Sequence, residues 1–145
     1  MKVLHVLDHS LPVPSGYSVR GHSILTEQKK LGWDVRVVTG PKQEKWHDAV
    51  DHVDGIDYER IPPVSKRMHS LPVLDQLAVV KDLRAGLRRV IAREQPDIVH
   101  VHSPCLNGLA ALGLGKPVVY ELRSSWEDAA VSSGTTTEGS LRYRL

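Results

Sequence analysis

Apolar residues along this chain fall into short β-branched runs that alternate with longer stretches of helical spacing, the pattern of βαβ units around a parallel sheet. Lys2 to Leu7 is nearly all apolar, as expected of a strand covered on both faces. Asp8 to Gly16 carries Pro12 and Pro14 and predicts a loop. A helix is predicted over about Ser18 to Leu31, with Tyr17, Gly21, Ile24 and Leu31 near one face and Gly32 as its stop. Asp34 to Thr39 predicts the second strand, ended by Gly40-Pro41. Glu44 to Val53 reads as a short helix or a loop. Ile56 to Ile61 alternates weakly and predicts a third strand at the sheet edge. Val80, Leu83, Leu87, Val90 and Ile91 carry the apolar stripe of a helix over about Leu74 to Glu94. Ile98 to His102 predicts a fourth strand. Ser103 is then an N-cap and Pro104 a first helical residue, in a helix running to about Gly113 with Gly115 after its end. Val118 to Leu122 predicts a fifth strand, and Ser140 to Leu145 resembles the opening turns of another helix.

Five such strands predict an α/β fold: a Rossmann-like, doubly wound parallel sheet of order 3-2-1-4-5 in three layers. In that order strands 1 and 4 are neighbours whose connections leave to opposite faces. Ligands bind at such a switch point, bordered here by Asp8 to Tyr17 and His102 to Asn107.

Composition narrows the class. The 145 residues fit one domain, with 41% hydrophobic and 25% charged residues, as in globular rather than disordered chains. A net charge of +2 without a basic run argues against nucleic acid as a partner. The one cysteine, Cys105, excludes an intrachain disulfide and a multi-cysteine zinc site. The start is not a signal peptide, and no stretch approaches the roughly 20 apolar residues of a membrane span. The expected location is the cytoplasm.

Three loops carry candidate chemistry. Ser15-Gly16 precedes a helix N-terminus, where amides and the helix dipole attract phosphate or carboxylate. The motif is neither a dinucleotide fingerprint nor a Walker loop, and Gly16 reads equally as a residue that turns the chain. His100 and His102 share one side of the fourth strand, with His102 at the switch point and His100 one layer down, packed and hydrogen-bonded. His5 or His9 could join them, but no carboxylate sits at metal-ligand spacing, so no metal is expected. Cys105 could pair with His102 as a nucleophile, although a small buried residue packing helix on sheet is the preferred reading. Glu121, Arg123, Trp126, Glu127 and Asp128 cluster around the end of the fifth strand. Arg123 could hold an anion, and the acidic residues sugar hydroxyls; an ion pair of Arg123 with Glu121 or Glu127 is the plainer reading.

Leu7-Asp8-His9-Ser10-Leu11-Pro12, Ser15-Gly16-Tyr17 and Glu27 to Trp33 resemble the N-terminal domain of family 4 (group 1) glycosyltransferases. Pro117 to Glu121, Trp126 to Ala130 and Gly134 to Ser140 resemble the branch associated with exosortase and PEP-CTERM exopolysaccharide systems. The resemblance spans essentially the whole chain. It implies a metal-independent, retaining GT-B enzyme with a nucleotide-diphosphate sugar as donor and no cofactor. Residues 1–145 would be its acceptor-side half, inactive alone, with 129–145 leading to a separate C-terminal donor-binding domain. It implies a glycan or lipid-linked acceptor, and allows peripheral association with the inner membrane face and a homodimer through the interdomain face. Carried over by position, His102 and Arg123 are the catalytic candidates. Ser15, Gly16, Tyr17, Glu121, Trp126 and Glu127 are the substrate-binding ones. Arg123 stands where many members have a histidine.

Overall fold

The computed structural model describes residues 1–43, 48–65 and 72–123. Its elements run β1 (Lys2–Leu7), α1 (Gly16–Lys30), β2 (Asp34–Thr39), β3 (Val50–Val53), β4 (Ile56–Arg60), α2 (Pro72–Glu94), β5 (Ile98–His102), α3 (Cys105–Ala111) and β6 (Val118–Glu121). One sheet of order β3-β4-β2-β1-β5-β6 results, parallel except for β3. The five expected strands stand in the expected order.

The sixth strand corrects the edge assignment. β3 lies in the stretch read as helix or loop, and it displaces β4 from the edge. The two pair antiparallel through Asp54-Gly55, whose φ values of 46° and 78° are both positive. Two such residues make the hairpin turn whose twist matches that of the flanking strands.

Alternation along the strands divides the sheet into two faces. Leu4, Val6, Val38, Val99 and Val101 face α2 and α3, where Leu83, Leu87, Val90, Ala110 and Ala111 complete a dry core. On the other face Leu7, Val37, Ile56 and Tyr58 pack around Leu25 of α1. The chain therefore forms the three expected layers, with α1 alone on its face among the described helices.

Local chemistry sets the helix ends. The Ser15 side chain accepts the Ser18 N–H, so α1 starts at Gly16, two residues before the predicted start. Its end is a Schellman motif. Gly32 (φ 80°) donates to Lys29 and Trp33 to Gln28. Leu31 therefore caps the helix and is exposed rather than on its buried face. α3 begins at Cys105, so Ser103 is not its N-cap and Pro104 is not inside it. Gly113 (φ 70°) follows the α3 cap, two residues before the expected stop. The Ser140 to Leu145 helix lies outside the described residues.

Gly86 is where α2 comes closest to the sheet. A Cβ there would lie 2.6 Å from Ile61 Cγ2 and 2.7 Å from Ile61 Cδ1. Ile61 is buried. Gly86→Ala is thus expected to destabilise: overpacking costs about 1–3 kcal/mol, against a gain of about 1 kcal/mol in helix propensity. A urea midpoint at or above that of the parent would show that Ile61 swings aside.

Candidate functional site

α1 leaves β1 toward one face and α3 leaves β5 toward the other, so the switch point falls between these two strands. Tyr17 joins the loops there. Its hydroxyl donates to Ser103 O (2.8 Å) and accepts from the Asp8 N–H (3.3 Å). Its ring lies under the Arg123 guanidinium, 4.5 Å away. Burial pushes the Tyr17 phenol well above its ordinary pKa, so it stays a neutral donor.

Parallel register gathers the imidazoles on the α1 face. His5 of β1 lies beside His100 of β5, and His102 of β5 beside Glu121 of β6. His5 Nδ1 is 3.0 Å from His102 Nε2, and His5 Nε2 is 2.7 Å from Gln28 Oε1 on α1. The His100 and His102 rings stack at 4.3 Å. Burial holds His5 at about 4 and His102 at about 2, with His100 also below its ordinary value.

Arg123 closes this layer. Its Nη2 reaches His102 Nδ1 (2.6 Å), its Nε reaches Glu121 Oε1 (3.1 Å) and its Nη1 reaches Tyr17 O (3.1 Å). Glu121 Oε2 lies 3.0 Å from His102 Nδ1 and 3.3 Å from His100 Nε2. Arg20 of α1 meets Glu121 Oε1 at 3.3 Å from the solvent side.

The structure brings Tyr17, His102, Glu121 and Arg123 together, with Ser15 and Gly16 at the neighbouring start of α1. His102 is fully buried behind Arg123 and Glu121 rather than lining open space. Gly16 has an ordinary negative φ, and a Cβ on it would meet nothing within 4 Å. Cys105 is exposed, contrary to its packed reading; Leu106, Ala110 and Ala111 cover the sheet instead. Trp126, Glu127 and Asp128 lie outside the described residues. Arg20 and Gln28 escaped sequence reasoning, because nothing in a helix pattern says which polar residue will stand over a strand.

His5, His100 and His102 bring ring nitrogens within 4.8 Å of one another, a set that could hold a metal ion. Each ring is engaged otherwise: His5 with Gln28 and His102, His102 with Arg123, His100 with Glu121. A guanidinium against His102 would also repel a metal cation. The set acts as a hydrogen-bonded layer. A separate cavity of about 380 Å³ opens at the amino ends of the strands beside Trp33, but its arginines are paired, Arg36 with Asp34 and Glu94, Arg93 with Glu59.

Among the described residues no helix is long and apolar enough to cross a membrane. Among solved structures, the C-terminal domain of a Pyrococcus furiosus hydrogenase is similar at 14% identity and a TM-score of 0.59, over 83% of this chain and 90% of that one. Sucrose-phosphate synthase from Thermosynechococcus elongatus is similar at 14% identity and a TM-score of 0.55, over 82% of this chain and 31% of that one. At such identities the likeness is one of fold. No curated protein sequence matches the chain. The model of the glycosyl transferase 4-like domain matches residues 15–145. The chain, with its switch-point cluster at the edge of a Rossmann-like sheet, belongs to the family of glycosyl transferase 4-like domains.

Proposed function

We propose that this domain is the acceptor-binding half of a retaining GT-B glycosyltransferase, which moves a sugar from a nucleotide-diphosphate sugar to a glycan or lipid-linked acceptor. The observation that carries the reading is the meeting of three loops on Tyr17, which fixes Arg123 and Glu121 beside the start of α1. Glu121 offers a carboxylate to sugar hydroxyls. Arg123 offers a permanent cation to charge developing on a leaving diphosphate, and it cannot serve as a proton shuttle. His102, buried behind it, acts by holding Arg123 rather than by touching sugar. Ser15 and Gly16 present the amino end of α1 to anionic groups. Trp126 and Glu127 complete the acceptor side in this reading.

Family membership supports sugar transfer as the chemistry. The fold shared with sucrose-phosphate synthase, of which this chain spans 31%, supports a division of labour with a second, donor-binding domain. The blocks at Pro117 to Glu121 and Trp126 to Ala130 point to exopolysaccharide assembly in the cytoplasm, where a lipid-linked acceptor would bring the enzyme to the membrane surface. The interdomain face would take a second copy in a homodimer.

The 145-residue chain alone is expected to transfer no sugar from a panel of nucleotide-diphosphate sugars. With a donor-binding domain supplied, transfer should appear, and Arg123→Ala should lower turnover by about 100-fold or more. Robust transfer by the chain alone would sink this reading. Tight nucleotide binding that needs no second domain would favour a stand-alone binding module for nucleotides or anionic sugars.

A further inference from the structure

The buried imidazoles carry more information than their contacts. An arginine side chain only donates hydrogen bonds. With Arg123 Nη2 at 2.6 Å, nearer than Glu121 Oε2 at 3.0 Å, His102 Nδ1 is the acceptor, so neutral His102 keeps its one proton on Nε2. That Nε2–H faces His5 Nδ1 at 3.0 Å, so His5 Nδ1 must also accept. The proton of His5 is then on Nε2, aimed at Gln28 Oε1 at 2.7 Å. Each assignment dictates the next, and the chain ends on a group able to accept. Glu121 Oε2 lies near the same His102 nitrogen, but His100 Nε2, 3.3 Å away, stands ready to donate to it.

We propose that His102, His5 and Gln28 are positioning residues, a one-way hydrogen-bond relay that holds the Arg123 guanidinium in a single orientation at the switch point and ties that orientation to α1. A neutral acceptor is what the geometry requires. An imidazolium would turn an N–H toward the guanidinium at 2.6 Å. A phenylalanine could fill the same volume and leave Arg123 one anchor short, with only Glu121 and Tyr17 O gripping it. The relay also explains why polar groups occupy half of a sheet face whose other half is packed with Leu7, Val37, Ile56 and Tyr58. Desolvating two imidazoles is tolerable only when every nitrogen has a partner. The role of these residues toward substrate rests on the proposed acceptor-side cleft; their proton positions do not.

Proton-detected ¹⁵N spectroscopy of the histidine rings, on the whole chain and without sugar, reads this directly. Near neutral pH, His5 and His102 should each carry one proton, on Nε2. Gln28→Leu removes the final acceptor and should leave His5 a mixture of both tautomers, whereas Gln28→Glu keeps an acceptor and should preserve Nε2–H. His102→Phe should speed hydrogen exchange at the Arg123 Nη2 protons by about tenfold or more, the loss expected for one hydrogen bond to a charged group. If that variant does not fold, the two Gln28 variants decide alone. A proton on Nδ1 of either ring, or a Gln28→Leu protein with unchanged tautomers, would overturn the proposal. Because no turnover is measured, failure of the glycosyl-transfer reading would leave these results standing.

Discussion

Arg60→Leu is expected to lower folding stability by about 3–5 kcal/mol, the usual result of removing one partner from a buried ion pair. The Arg60 side chain is 2% exposed and that of Asp51 is 8% exposed. Arg60 Nε and Nη2 clasp Asp51 Oδ2 at 3.0 and 2.7 Å. The remaining donors go to Thr39 Oγ1 (2.8 Å), Gln43 Oε1 (3.1 Å), Leu11 O (2.6 Å) and Ser10 Oγ. One guanidinium at the end of β4 thus ties the β3–β4 hairpin to the loop that follows β1, the loop that borders the switch point. Leucine would remove the buried cation that Asp51 Oδ2 faces and one of the two donors to the Leu11 carbonyl, the other being Ser10 Oγ. Asp51→Leu added to Arg60→Leu should recover much of the loss, since a buried pair and a well-packed apolar replacement are often close in energy. Guanidinium denaturation of the three proteins measures both effects. A single variant within about 1 kcal/mol of the parent would mean that the pair behaves like a surface salt bridge.

The second large effect is acid sensitivity. His5 and His102 are held at about 4 and about 2, against 6.5 for an ordinary histidine. Above that ordinary value both rings are neutral whether the chain is folded or not, and their contribution to stability is complete. Below it the unfolded chain binds protons that the folded rings refuse, so stability falls as pH falls. Each ring contributes about 1.4 kcal/mol per pH unit in that window. Acidification from about pH 7 to 5 should therefore remove on the order of 4 kcal/mol. The neighbours facing the rings are His100 on β5, Glu121 and Arg123 around β6, and Arg20 on α1. Among them Arg123 and His100 oppose added positive charge, and His100 is itself shifted downward, so it adds to the effect. Denaturation midpoints measured across this range should slope steadily. A flat profile between pH 7 and 5 would show that the folded rings take up protons just as those of the unfolded chain do, and a rise in stability on acidification that they are already charged in the folded protein.

Much of the sheet was legible because buried parallel strands advertise themselves. β1, β2 and β5, the three central strands, match their predicted limits residue for residue. β3 was missed because Val50 and Val53 are three apart, which is not a strand period, although Asp54-Gly55 carried a hairpin signal. The meeting of Tyr17, His102, Glu121 and Arg123 follows from strand order, since His102, Glu121 and Arg123 lie at or just past strand carboxyl ends and Tyr17 opens the helix that follows β1. Depth did not follow. Whether His102 would be open or buried depended on Arg123 folding back over it, a side-chain event invisible in any periodicity. Arg60 was missed for a related reason. An arginine at a strand end reads as a surface charge until the loop that covers it is known, and Ser10, Leu11 and Gln43 are too dispersed in sequence to announce that they converge.

The imidazole column has a consequence for how the sheet assembles. His5 and His100 face each other across β1 and β5, while Leu4 and Val6 face Val99 and Val101 on the reverse side. A slip of one residue between these strands would exchange the two sets. Rings that need partners at both nitrogens would then be pressed among aliphatic side chains of α2 and α3, at about 1–3 kcal/mol for each unmet polar group. Valine and leucine alone would pair almost as comfortably out of step. The histidines act as teeth on a key: they make the misaligned pairing of the two central strands expensive before any loop has closed over them.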